Sequence, residues 1–373
     1  MIMKKIFLLI IFFFITFLNA QSYEEKTIIL QELLKDKKYC EAHKIFEQIL
    51  NNENRNPYDF YYGAISSVNC NKPTQALDWL EMAVQKGLGS TKEEVDYLSN
   101  DENFSKIFSD SKWNNLVSVM KEKLKEKELR EEKLNADWLK SITNNRVKNK
   151  TDQPNAGFAL YTNNVDSIKV PYLVLIPKSY SSKKPSRVIV YLHGGVVSTE
   201  NFTHNNYQIQ QEPIFSLADE YNAIILYPFG KKDFGWVNQE RAFENVLSIV
   251  KEVEKKYSIN KKEIYLGGMS NGGSATFWFA TNHSNLFKGF YAFSADPKLK
   301  IEEINFSKIK KPFYMLNTKD DNVFKFEEVE SIYLKEHNKN WHLESLEKGN
   351  HGFIYQENGT EIMKKLLDKL IME

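Results

Sequence analysis

Seven residues, Gly267-Gly268-Met269-Ser270-Asn271-Gly272-Gly273, leave this chain fewer structural options than any other stretch of it. They follow the apolar run Ile264-Tyr265-Leu266, and helical spacing takes over from Ser270 to Ala280. A serine between close glycines at a strand-to-helix junction predicts a turn so tight that the flanking positions have no room for a side chain. Such a turn lifts the hydroxyl clear of a sheet and sets it at a helix N-terminus, where unpaired backbone N–H groups favour negative charge. The pattern Gly-x-Ser-x-Gly is weak alone; its strand-before, helix-after context makes Ser270 a candidate nucleophile.

The surrounding sequence alternates between short apolar runs and helical periodicity. Val170–Ile176, Arg187–Leu192, Ala223–Tyr227, Glu263–Leu266, Gly289–Phe293 and Pro312–Leu316 read as strands. Glu212–Tyr221, Arg241–Tyr257, Ser270–Ala280 and Gly359–Met372 read as helices. That alternation predicts an α/β fold, a mostly parallel sheet with helices on both faces. In such sheets the chemistry gathers at the carboxyl ends of the strands. His193-Gly194-Gly195 ends one strand, and glycines there allow backbone N–H groups to approach a carbonyl oxygen. The N–H groups of Gly195 and Asn271 are therefore the expected oxyanion hole, with His193 structural. In the chain order serine, acid, histidine, the base is His351, in the loop Gly349-Asn350-His351-Gly352-Phe353 before the last helix. The acid that orients it is expected at Asp320, three residues before Val323, with Asp321 and Asp296 as the alternatives.

The order of these motifs is similar to that of the α/β-hydrolase superfamily. The stretch from Tyr227-Pro228-Phe229 through Gly235-Trp236 to the Ser270 turn resembles its secreted esterase branch, which includes polyhydroxybutyrate depolymerases, feruloyl esterases and carboxylesterase-like enzymes. The resemblance runs from about Pro171 to the C-terminus. It implies hydrolysis of a carboxylic ester, small or polymer-borne, through an acyl-enzyme and without metal or cofactor. Asn317 departs from it, since many relatives have glycine ahead of the acid. Phe234, Trp236 and Trp278 are expected mainly in the core, with substrate-pocket walls as the second reading. A serine peptidase on the same fold is the enzymatic alternative, and a binding protein carrying an inactive hydrolase domain is the non-enzymatic one.

The N-terminal third is different. From Tyr23 to Trp138 the spacing is helical throughout, and Ala42-x3-Phe46-x3-Leu50 recurs as Ala76-x3-Leu80-x3-Val84, an offset of 34 residues. That is the tetratricopeptide period, so residues 21–120 are expected to form a short all-α TPR-like module. A spacer role is favoured for it over capture of a protein or peptide partner. Cys40 and Cys70 fall near helix ends in adjacent repeats, where a disulfide is one of two open outcomes. Residues 121–155 read as a charged helical linker with interleaved signs, and 156–373 as the catalytic domain.

At the start, Lys4-Lys5, the apolar run Ile6–Leu18 and Ala20 have the form of a secretory signal peptide over residues 1–20. The run is shorter than the roughly 20 apolar residues of a membrane span, and no lipid-accepting cysteine follows it. The expected location is periplasmic or extracellular, with no stable membrane insertion after cleavage. Fifty Lys+Arg against 49 Asp+Glu give a formal charge of +1, without the basic excess of a nucleic-acid binder.

Overall fold

The computed structural model describes residues 22–51 and 55–372. The expected signal peptide at 1–20 lies outside them. The chain divides into two compact units, one ending at Glu132 and the other beginning at Lys133.

The first unit is helical: α1 (Tyr23–Lys35), α2 (Tyr39–Ile49), α3 (Pro57–Asn69), α4 (Pro73–Gln85), α5 (Lys92–Ser99) and the first part of α6 (Ser111–Asn144). Its helix starts are written locally. Ser22 and Asn56 each cap a helix with a side-chain oxygen and in turn donate their own N–H to the carboxylate three residues on. Pro57 and Pro73 occupy first-turn positions, where a missing N–H costs nothing. The recurring residues Ala42, Phe46, Leu50, Ala76, Leu80 and Val84 are all buried. Cys40 and Cys70 form a disulfide between the start of α2 and the end of α3. The charged run of α6 is mostly exposed, including Leu129.

The second unit is built on one eight-stranded sheet, ordered β1-β2-β4-β3-β5-β6-β7-β8. The strands are β1 (Gly157–Val165), β2 (Ile168–Ile176), β3 (Ser186–Leu192), β4 (Ala223–Pro228), β5 (Ile259–Met269), β6 (Gly289–Phe293), β7 (Phe313–Thr318) and β8 (Trp341–Leu346). The pairs β1–β2 and β2–β4 are antiparallel and all the others parallel. Strand alternation divides the core in two. Val188, Val190, Leu192, Ile224 and Leu226 face the apolar sides of α7 (Glu240–Lys256) and α8 (Asn271–Asn282), with Val329 of α9 (Phe326–Glu336) in the same cluster. Ile189, Tyr191, Ile225 and Tyr227 face the other way, toward Trp138 and Ile142 of α6 and the buried residues of α10 (Gly359–Ile371). Both faces of the central strands are covered, hence their nearly unbroken apolar runs. No helix of the described residues is long and apolar enough to cross a membrane.

Three elements differ from the sequence expectation. Residues 212–221 are not an α-helix; one short 3-10 turn, Pro213–Leu217, stands there, preceded by another at Tyr207–Gln211. Pro213 has no N–H to continue the first turn, and its fixed φ suits it to start the second. The β1–β2 hairpin turns through Asp166 and Ser167, both at positive φ, the geometry of a tight two-residue turn that usually advertises itself with glycine. At the far edge, β8 buries fully only Trp341, so its sequence carries little apolar signal.

Candidate active site

Ser270 sits between the end of β5 and the start of α8 with φ 55° and ψ −121°, a strained conformation for a residue with a side chain. Its N–H donates to the Phe293 carbonyl at 2.9 Å, and its carbonyl accepts the Ser274 N–H at 2.9 Å, fixing the turn to β6 and to its own helix. The glycines let β3 pass beneath the turn. A Cβ on Gly272 would lie 1.9 Å from the Leu192 carbonyl oxygen, and one on Gly268 would lie 2.2 Å from it. No side chain fits at either place.

The chain leaving β3 runs against this turn. A Cβ on Gly194 would fall 2.9 Å from the Ser270 Cβ, and Gly195 follows in the left-handed region at φ 72°. Buried His193 holds the loop in position. Its Nε2 accepts the Gly230 N–H at 3.0 Å, so Nδ1 carries the proton and donates to the Gly194 carbonyl at 2.7 Å. Burial lowers its pKa to about 4, which keeps the ring neutral. Its own carbonyl accepts the Trp236 indole N–H at 3.1 Å, and its ring stacks on Tyr227. His193 is thus a brace for the Gly194-Gly195 loop. Trp236 and Gly230, its partners, carry no sequence signal for that role. Phe234, Trp236 and Trp278 are all buried in the core.

His351 Nε2 lies 2.9 Å from the Ser270 Oγ. On the other side of the ring, Nδ1 lies 2.8 Å from Oδ2 and 3.1 Å from Oδ1 of Asp321. The expected partner was Asp320, and the structure corrects this by one residue. After β7 the chain turns back, with the Asp321 N–H directed at the Thr318 carbonyl, so successive aspartates face opposite ways. The Asp321 side chain is fully buried, and its Oδ1 also accepts the N–H groups of Val323 at 2.8 Å and Phe324 at 2.9 Å. Asp320 points out and accepts the N–H groups of Asn350 at 2.8 Å and Gly349 at 3.1 Å, which hold its carboxyl below the usual carboxylate range. It anchors the histidine loop rather than the imidazole. Asp296, the remaining alternative, does not face His351; it lies 3.9 Å from Lys298, and burial raises its carboxyl.

Because a carboxylate only accepts, Asp321 fixes the proton of neutral His351 on Nδ1 and leaves Nε2 to accept from the Ser270 hydroxyl. The loop itself is pinned at both ends of the catalytic edge. Ser294 Oγ donates to the His351 carbonyl at 2.7 Å, and Thr318 Oγ1 donates to the Asn350 carbonyl at 2.9 Å. Phe324 packs edge-on against the His351 ring. Asn317 is fully buried and bonds both the N–H and the carbonyl of Ala295, tying the end of β7 to the residues after β6. A glycine could not make that clamp. Among the described residues no group of three or more His, Cys, Asp or Glu is arranged to hold a metal ion.

A curated protein similar to this chain is a bifunctional acetylxylan esterase/xylanase, XynS20E, from Neocallimastix patriciarum, 29% identical over 154 residues. The match takes in 38% of this chain and spans about a fifth, 21%, of that relative's length. Among solved structures, a thermostable esterase is similar at 19% identity and TM-score 0.46, over 58% of this chain and 62% of that one. Est1E from Butyrivibrio proteoclasticus is similar at 15% identity and TM-score 0.44, over 57% of this chain and 99% of that one. The model of the Dienelactone hydrolase family matches residues 172–366, more than half of the chain, from within β2 to within α10, and includes Ser270, Asp321 and His351. The chain belongs to the dienelactone hydrolase family.

Proposed function

We propose that the chain is an exported serine esterase that cleaves a carboxylic ester through an acyl-enzyme on Ser270. The observation that carries this reading is the continuous line Asp321–His351–Ser270, with contacts of 2.8 Å and 2.9 Å. Ser270 attacks the acyl carbon as His351 Nε2 takes its proton, and Asp321 stabilises the imidazolium through Nδ1. The N–H groups of Gly195 and Asn271 receive the oxyanion, Asn271 being the first residue of α8, where backbone N–H groups have no intrahelical partner. His351 then protonates the departing alkoxide and activates the water that releases the acid.

Val197 and Val323, two residues beyond Gly195 and Asp321 in the chain, are apolar and exposed, and the proposal takes them as the border of a site for a short acyl group. The acetyl ester named for the Neocallimastix relative agrees with that size. Export is supported by the form of residues 1–20 and by the Cys40–Cys70 disulfide, a bond that persists in oxidising compartments. For the helical unit the proposal is a pair of TPR-like repeats that act as a spacer. The starts of α1 and α3, the starts of α2 and α4, and the left-handed turn residues Lys37 and Asn71 all repeat at the same offset of 34, which supports the repeats.

The test is labelling of the purified chain by a fluorophosphonate, beside Ser270→Ala, followed by turnover of 4-nitrophenyl acetate and longer acyl homologues. Labelling and turnover that vanish in Ser270→Ala, with acetate preferred, are the expected result. A folded wild-type protein that neither labels nor turns over any ester refutes the reading.

A further inference from the structure

A cleft of about 520 Å³ opens between the segment Asn206–Pro213 and the turn after His351. Both walls follow active-site loops in the chain: Tyr355 is four residues beyond His351, and Asn206 is eleven residues beyond Gly195. One chain of contacts leads from its lining to the loop that His193 braces. Glu212 Oε1 accepts from the Tyr227 hydroxyl and Oε2 from the Tyr355 hydroxyl, both at 3.3 Å, and the Tyr227 ring is the one stacked on His193.

The lining has a definite chemistry. Asn206, Gln208, Gln211 and Gln356 contribute primary amides, each both donor and acceptor, and among the described residues no lysine or arginine lines the cleft. Without a cation the cleft is poorly suited to a phosphate, a sulfate or a carboxylate. Alternating donors and acceptors around the apolar surfaces of Ile354 and Tyr355 match a molecule that carries hydroxyls on an apolar ring.

Resting on the esterase reading above, we infer that this cleft is the alcohol-side subsite and selects esters whose alcohol portion is a neutral saccharide, with Glu212 and Tyr355 binding its hydroxyls. Burial raises the Glu212 carboxyl to about 7, so near neutrality it is present in both forms and can donate to a sugar oxygen as well as accept from a sugar hydroxyl. A cationic alcohol, such as choline, would instead require the fully ionised carboxylate.

The experiment compares kcat/KM for an O-acetylated xylo-oligosaccharide and for 4-nitrophenyl acetate, in the full chain and in Glu212→Gln and Tyr355→Phe. Loss of a hydrogen-bonding partner should lower the saccharide-to-nitrophenyl ratio about tenfold in each variant. A ratio that stays within twofold of wild type in both variants overturns the subsite, whether the two activities fall together or stay unchanged. Wild-type turnover of nitrophenyl acetate with no preference for the saccharide ester over ethyl acetate overturns it too, while leaving the esterase reading intact. Should no ester be turned over, the xylo-oligosaccharide itself is titrated against Ser270→Ala by calorimetry. Binding that Glu212→Gln weakens tenfold supports the subsite independently of catalysis, and no binding ends it.

Discussion

Replacing Asp321 by asparagine tests the site at its most informative atom. Asp321 Oδ1 is held by two backbone donors, Val323 N–H at 2.8 Å and Phe324 N–H at 2.9 Å. In Asp321→Asn the amide oxygen must keep that place, because an NH2 group there would face two N–H donors. The amide nitrogen is then forced into the Oδ2 position, 2.8 Å from His351 Nδ1. A donor at that point demands that Nδ1 accept, so the imidazole proton moves to Nε2, facing Ser270, and the base is lost. The wrong tautomer with unchanged geometry costs a serine hydrolase about 10⁴-fold in kcat, about 5.5 kcal/mol of transition-state stabilisation. Asp320→Asn should be mild by comparison. Its side chain can still accept one of the two N–H groups it now holds, from Asn350 or from Gly349, and a loosened loop should lower kcat by less than about tenfold. The assay is kcat on 4-nitrophenyl acetate at pH 8, with thermal melts to establish that each variant is folded. If Asp321→Asn keeps more than a tenth of wild-type kcat, or Asp320→Asn loses as much as Asp321→Asn, the assignment of the acid is wrong.

Three further outcomes follow from the geometry. Gly272→Ala drives a Cβ to 1.9 Å from the Leu192 carbonyl oxygen and should cost about 3 kcal/mol or abolish soluble expression, whereas Gly352→Ala, whose nearest new contact is 3.5 Å, should melt within a few degrees of wild type; equal behaviour of the two would remove close approach as the reason for the glycines. His193 has a folded-state pKa depressed from 6.5 to about 4, so its contribution to stability is present above pH 6.5 and is lost as pH falls through about 4. That loss is about 3 kcal/mol. Urea unfolding at the two pH values should show a drop larger by that amount in wild type than in His193→Asn, and parallel drops would contradict the buried neutral imidazole. Reducing Cys40–Cys70, or replacing both by serine, releases a 30-residue loop and should destabilise the helical unit by roughly 3.5 kcal/mol, read as a lower unfolding midpoint by circular dichroism. An unchanged midpoint would mean that the helical contacts alone set the stability of that unit.

What could be read from the sequence was whatever a single position enforces by sterics or by periodicity. Gly268 and Gly272 are glycine because the backbone of Leu192 occupies the space of a Cβ, and that demand survives any change in the rest of the chain. The buried strands β3 and β4 are legible because both of their faces are covered, which leaves no charged residue in Val188–Leu192 or Ala223–Pro228. The edge strand β8 and the Asp166-Ser167 hairpin lack that constraint, one being half solvated and the other making its turn without glycine. The choice between Asp320 and Asp321 was illegible for a different reason. Both are acids, one residue apart, after the same strand, and their roles differ only in which way the chain turns at Thr318. That turn is decided by contacts distant in sequence: the His351 loop bonded to Asp320 and Thr318, and the Asn317 clamp on Ala295. One residue of register in such a turn exchanges an exposed anchor for a buried orienting carboxylate, so two adjacent aspartates give the loop both things it needs. Asp320 holds the backbone that presents His351, and Asp321 holds its proton. The departure at Asn317 belongs to the same arrangement, since its two hydrogen bonds to Ala295 fix the strand ends from which the acid turn and the Ser294 support depart. The site is therefore a property of four strand ends held in register, and the residues that hold them are polar, buried and without a motif.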